Sequence, residues 1–182
     1  VNNCNIDSHG LLKDFDKCLL CECYFCLEKM SGLIDELSGM KISPHVDYSS
    51  KGLFTLHDEL IKARAYSERA SFIYSELIAG HSIIKSVVPS ILGFCQDEYD
   101  KIVVSEVKKY LQLSWEERAS FVRVQCINIT KLRRMAEVLI ESSKSFLDSG
   151  DNLARSLHRA RNDLDAVATN MKFSMQLGEL GV

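Results

Sequence analysis

The sequence predicts an all-α fold: an elongated antiparallel bundle of four to five long helices with coiled-coil-like seams. Three observations carry that expectation. Between Leu53 and Val88, the positions Leu56, Leu60, Ala63, Ser67, Ala70, Tyr74, Leu77, His81, Ile84 and Val88 follow one another in alternating steps of four and three. That rhythm is the buried stripe of a long helix packed along other helices. The 182 residues hold only two Pro and nine Gly, too few for a turn-rich β protein or a disordered chain. No segment sustains the period-two alternation of a half-buried strand.

The organising helix is expected to be roughly 36 residues, about 54 Å long. Ala63, Ser67 and Ala70 give its stripe a run of small side chains. These admit either a close partner backbone or a large partner side chain. Pro89 and Gly93 are expected to end or kink it, with a connection over 89–96, because proline removes a donor and clashes with the preceding turn.

Before it, residues 1–9 are polar and expected to fray. Ser8 can cap a first helix from about Gly10 to Gly39, with the seam Phe15, Leu19, Cys23, Cys26, Met30, Leu33 and Leu37. A second line through Leu20, Tyr24, Leu27 and Ile34 widens its apolar face. Residues 40–52, with Pro44, three Ser and Gly52, read as a loop. Beyond the organising helix, Asp97-Glu98-Tyr99-Asp100 suits a helix N-terminus, where the dipole favours negative charge. Ser114 and Glu117 have capping-box spacing, which predicts a kink or break at 112–114. The seam then reads Phe121, Gln125, Asn128, Leu132, Met135, Leu139, Ser142 and Phe146, with Gly150 as stop. Asp151 is expected to cap a last helix with the seam Leu153, Leu157, Ala160, Leu164, Val167, Met171 and Ser174. The whole chain reads as a single helical domain.

The formal net charge is −3, with 26% of residues charged and 46% hydrophobic, so the chain is no general polyanion binder. No uninterrupted apolar run of about 18 residues exists, and no transmembrane helix is expected. The opening Val-Asn-Asn-Cys-Asn is no signal peptide and reads as the start of an excised piece. Seven Cys, four of them within nine residues, fit a reducing, cytoplasmic setting better than a disulfide framework. A role peripheral to a membrane is the alternative placement.

Cys18, Cys21, Cys23 and Cys26 form two CxxC pairs and are the metal-site candidates. One residue separates the pairs, whereas zinc knuckles need a dozen or more to face each other. On a helix the four thiols cannot converge, and Cys then acts as a small buried hydrophobe. No metal, catalytic residue or cofactor is therefore assigned. His81, in the organising seam, is expected to be a hydrogen-bonded residue that sets register. Ser67, Gln125 and Asn128 have the same expected role. Signatures of nucleophilic, phosphate-binding or dinucleotide sites are missing.

The basic residues Arg118, Arg123, Lys131, Arg133 and Arg134 follow one another without an intervening acid, and Arg155, Arg159 and Arg161 come later. They are the candidate contacts for an anionic partner or lipid. Nucleic acid is disfavoured by the negative net charge and the lack of interleaved aromatics. The functional expectation is a non-enzymatic helical interaction or scaffold module that holds protein partners and can self-associate as a dimer. One alternative is peripheral binding to anionic membranes by a BAR-like curved dimer, an architectural resemblance only. Another is an enzyme or metal-binding protein of unrecognised type.

Overall fold

In a computed structural model, the chain is all-helical among its described residues, 17–42 and 50–179. The terminus at 1–9, Phe15, and most of the expected 40–52 loop lie outside them. The elements are α1 (Lys17–Gly39), α2 (Ser50–Ser105), α3 (Val107–Gln112), α4 (Trp115–Gln125) and α5 (Ile127–Glu179). They group into two compact units. One contains the described residues up to Lys29 together with Gly80–Ser145. The other contains Met30–Ala79 together with the chain from Phe146 onward.

The expected connection at 89–96 is helix. Pro89 and Lys85, whose carbonyl loses its partner, are both exposed. Water can serve that carbonyl, while Val88, Ile91 and Cys95 continue the buried three-and-four rhythm past the proline. Burial of that stripe outweighs the intrinsic cost of an internal proline, about 3 kcal/mol. Asp97–Asp100 accordingly lie inside α2, not at a helix start. Gln96 there donates to Asp100 at 2.9 Å, and Lys101 pairs with Glu98 at 2.5 Å. The same helix contains an 18-residue window of mean hydropathy 1.5 that is long and apolar enough to cross a membrane by length and composition. No unbroken apolar run marks this window, because isolated polar and charged residues interrupt it. Only 28% of the window is buried.

The second correction concerns Gly150 and Asp151, read as a stop and a cap. Both lie within α5, and Asp151 forms a two-pronged pair with Arg155 one turn on, at 2.9 and 2.8 Å. The seam of α5 keeps Leu132 and Leu139 of the expected line but shifts by one residue at the alternate positions. Ala136 and Ser143 are fully buried, whereas Met135 and Ser142 are half-buried. Ala136, Ser143 and Gly150 are spaced by sevens, so small residues occupy successive layers of one face.

In the unit built on Met30–Ala79, that arrangement has a direct cause. A Cβ added to Gly150 would overlap Leu77 Cδ1 and touch Ile34 Cδ1 at 3.4 Å. Leu77 is fully buried. Seven residues apart on each helix, Ala70 and Leu157 are buried, and then Ala63 and Leu164 share one apolar cluster with Leu56. Small residues on α5 thus face large ones on α2, and the pairing inverts further along. Arg64 pairs with Asp165 at 2.7 Å and Ser67 meets His158 at 2.5 Å, which makes the two helices antiparallel. A bidentate pair, Arg69 to Glu36 at 2.6 and 2.9 Å, ties α1 to α2 on the surface. In the other unit, Ile84 and Ile91 on α2, and Ala136 and Ser143 on α5, are buried with the same seven-residue step.

The expected break at 112–114 is present, between α3 and α4. The Ser114 backbone N–H donates to Glu117 Oε2 at 2.8 Å, and the Glu117 N–H points back to Ser114 Oγ at 3.4 Å. These are the two reciprocal bonds of a capping box; the Ser114 N–H, with the Ser114 hydroxyl donating to the same oxygen at 2.7 Å, holds the Glu117 carboxyl below its ordinary pKa.

Gly150→Ala is expected to destabilise the protein by about 1–3 kcal/mol through overpacking, despite the better helix propensity of Ala. Urea unfolding of the single variants and the Gly150→Ala/Leu77→Ala pair checks this, with the paired cost well below the sum. Hydrogen bonding by Arg69 lowers the Glu36 pKa from its ordinary 4.5. Its contribution to stability is therefore present above that ordinary value and lost as pH falls through the lowered one. Glu36→Gln should lower Tm slightly at neutral pH, the pair being exposed, and the gap to the parent should close in acid.

Candidate functional site

One exposed apolar surface lies around the helix breaks. Glu106 N–H still reaches Ile102 O at 3.1 Å, so the helical path carries on from α2 into α3. Val104, Val107 and Leu111 therefore share a face at i, i+3 and i+7. They are 73%, 41% and 62% exposed, and Trp115, first residue of α4, is 84% exposed. Exposed apolar residues in such a row mark a contact surface more often than scattered single ones do. Sequence reasoning passed over this row because an apolar stripe by itself reads as buried. The signal was the capping box, which starts a new helix just beyond the stripe.

Among the seven basic candidates whose side chains are described, five have an acid or carbonyl acceptor close by. Arg133 and Arg134 both pair with Glu137, at 3.3 and 3.4 Å. Arg118 donates to the carbonyls of Leu113 and Leu111 at 2.9 and 3.0 Å and closes the α3–α4 break. Arg155 is held by Asp151. Arg161 Nε lies 3.5 Å from Asp165 Oδ2, near enough for ion pairing but not aligned for a hydrogen bond. Lys131 and Arg159 are exposed, and Arg123 lies in α4. Arg118 through Arg134 belong to one unit and Arg155 through Arg161 to the other.

All four clustered cysteines fall on α1. Cys21 is exposed, Cys23 buried and Cys26 half-buried, so these thiols point in different directions. Among the described residues, no three His, Cys, Asp or Glu side chains converge on a metal position. Burial, with help from Cys26 and Glu22, pushes the Cys23 pKa up to about 11. Burial also raises Cys26, Cys95 and Cys126. Thiols held protonated are weak nucleophiles and weak ligands.

Two histidines sit in the seams. Ser143 Oγ donates to Ile140 O at 3.0 Å, which leaves a lone pair for His81 Nδ1–H, also at 3.0 Å. His81 is thus hydrogen-bonded across the seam, as its position implied. Ser71 Oγ donates to Ser67 O at 3.1 Å and can accept from His158 Nε2–H at 3.3 Å. His158 Nδ1 then accepts from Ser67. This resembles a Ser–His dyad only in distance. Ser67 is 1% exposed, and a hydroxyl stands where a nucleophile's base would need an orienting carboxylate. The pairs set register. Sequence reasoning found Ser67 but gave His158 no role, since nothing local shows which residue lies opposite.

One open cleft of about 540 Å3 lies between α2 and α5 within a single unit. Leu92, Cys95, Gln96 and Tyr99 line it from α2, and Ile129, Thr130, Arg133, Arg134 and Glu137 from α5, with Cys126 at the α4–α5 turn.

Together the fold and these surfaces define an all-helical protein with buried thiols, seam histidines and an exposed apolar row. Compared with protein families, curated proteins and solved structures, the chain shows no significant match to any.

In the folded protein, a maleimide is expected to modify Cys21 quickly. Cys23, Cys95 and Cys126 should react only as fast as the helices open. Peptide mapping after timed labelling checks the order. Equal rates at all four positions would contradict the burial described here.

Proposed function

We propose that this chain is a non-enzymatic helical interaction module. In this reading its long helices form an elongated antiparallel bundle with coiled-coil-like seams, and the module associates with a protein partner, a second copy included. The observation that supports it is the row Val104, Val107 and Leu111, left in solvent ahead of the α3–α4 break, with Trp115 exposed just beyond it. Burying such side chains contributes roughly 1.5–3 kcal/mol each for the aliphatic ones, and exposed aromatic anchors dominate interface energetics. The setting is intracellular and reducing, in keeping with the buried, protonated thiols.

The second reading is peripheral association with anionic membrane. The same row favours it, because Trp115 stands near the exposed Lys109 in sequence, and aromatic and basic residues share the membrane interface. The pairing of Arg133, Arg134 and Arg155 with nearby acids weighs against it. An enzymatic or metal-binding role has the least support.

Trp115 is the sole tryptophan, so its fluorescence reports directly on this row. Self-association should move its emission to shorter wavelength as protein concentration rises. Light scattering should show the mass increase in parallel, and Leu111→Ser should suppress both. A blue shift seen only with anionic vesicles, and lost in salt, would establish the membrane reading instead. A monomer whose emission responds to neither would sink self-association and the membrane reading alike.

A further inference from the structure

We propose that the cleft between α2 and α5 is a binding site for a small amphipathic monoanion, a medium-chain carboxylate being the simplest example. Its size falls in the range of small-molecule sites, about 300–1,000 Å3. Leu92, Cys95 and Tyr99 recur at one-turn spacing on α2, so the wall runs about 10 Å along the helix. Cys95, Cys126 and Ile129 are each buried to within 6% of full occlusion, and together with Leu92 they give an apolar floor. The thiols are small for seam positions and leave space that Leu or Ile would fill.

The rim has the opposite character. Arg133 and Arg134 stand over a single acid, Glu137, and leave one positive charge in excess. Glu137 holds them at 3.3 and 3.4 Å, longer than the roughly 2.7–2.9 Å of well-formed charge-assisted bonds. Each guanidinium has five donors, so both keep donors for an incoming carboxylate. An apolar floor beneath an imperfectly satisfied arginine pair selects a ligand with a hydrocarbon tail and one anionic head. The site is separate from the apolar row, and the inference does not depend on the interaction reading.

Titration calorimetry with decanoate, below its micelle concentration, tests this on the whole chain. Saturable one-to-one binding is expected, with decanol about tenfold weaker or worse, since it lacks charge-assisted bonds. Arg133→Gln/Arg134→Gln should weaken decanoate by about tenfold and leave decanol unchanged. Glu137→Gln should tighten decanoate, because it removes the competing carboxylate, an effect that a purely structural role would not produce. Thr130→Trp, a substitution at an exposed lining position, should fill the cleft and abolish both. Circular dichroism establishes that each variant is folded. No saturable binding, decanol binding as tightly as decanoate, or undiminished binding to Thr130→Trp would each overturn the proposal.

Discussion

The packing of α5 against α2 rests on opposing a small side chain to a large one in each layer. Gly150 leaves room for Leu77, and seven residues further on each helix Ala70 and Leu157 repeat the arrangement in reverse. Two large residues in one layer would push the helices apart. Two small ones would leave a void that costs lost contacts. The alternation lets both backbones stay close while each layer fills. It also explains why a glycine is retained in the middle of a long helix, where its propensity is poor.

Polar groups inside these seams add selectivity to the packing. His81 with Ser143, and His158 with Ser67 and Ser71, each satisfy one another across the two helices. A slip by one turn would part the buried Ser67 and Ser143 hydroxyls from their histidine partners, at a cost of about 1 kcal/mol each. Packing by size fixes how closely the helices approach. Hydrogen bonding fixes which residue lies opposite which.

The same physics accounts for where the chain departs from continuous helix. The Ser114–Glu117 box offers a strong N-terminus, and Arg118 covers the carbonyls released on the other side of the break. Beside this break the apolar row is left uncovered, which is what directs the functional reading toward association rather than catalysis. Of the thiols that first suggest metal chemistry, Cys23 is held protonated by burial, as are Cys95 and Cys126 elsewhere in the chain. They serve as small hydrophobic fillers, and two of them shape the floor of the cleft.

Local spacing alone determined the helical class, the α2 seam from Leu56 to Val88, the break at Ser114 and the hydrogen-bonded role of His81. Each of these depends on residues within a few turns of one another. The tertiary structure decided the rest. Helix α2 runs through Pro89 because the buried stripe continues beyond it, and α5 runs through Gly150 because Leu77 occupies the space a side chain would need. Ala136 and Ser143 replace Met135 and Ser142 in the core because closeness to α2, not hydrophobicity, selects that face. The cleft and the partner of His158 likewise depend on which residues of a distant helix lie opposite, and sequence periodicity holds no record of that.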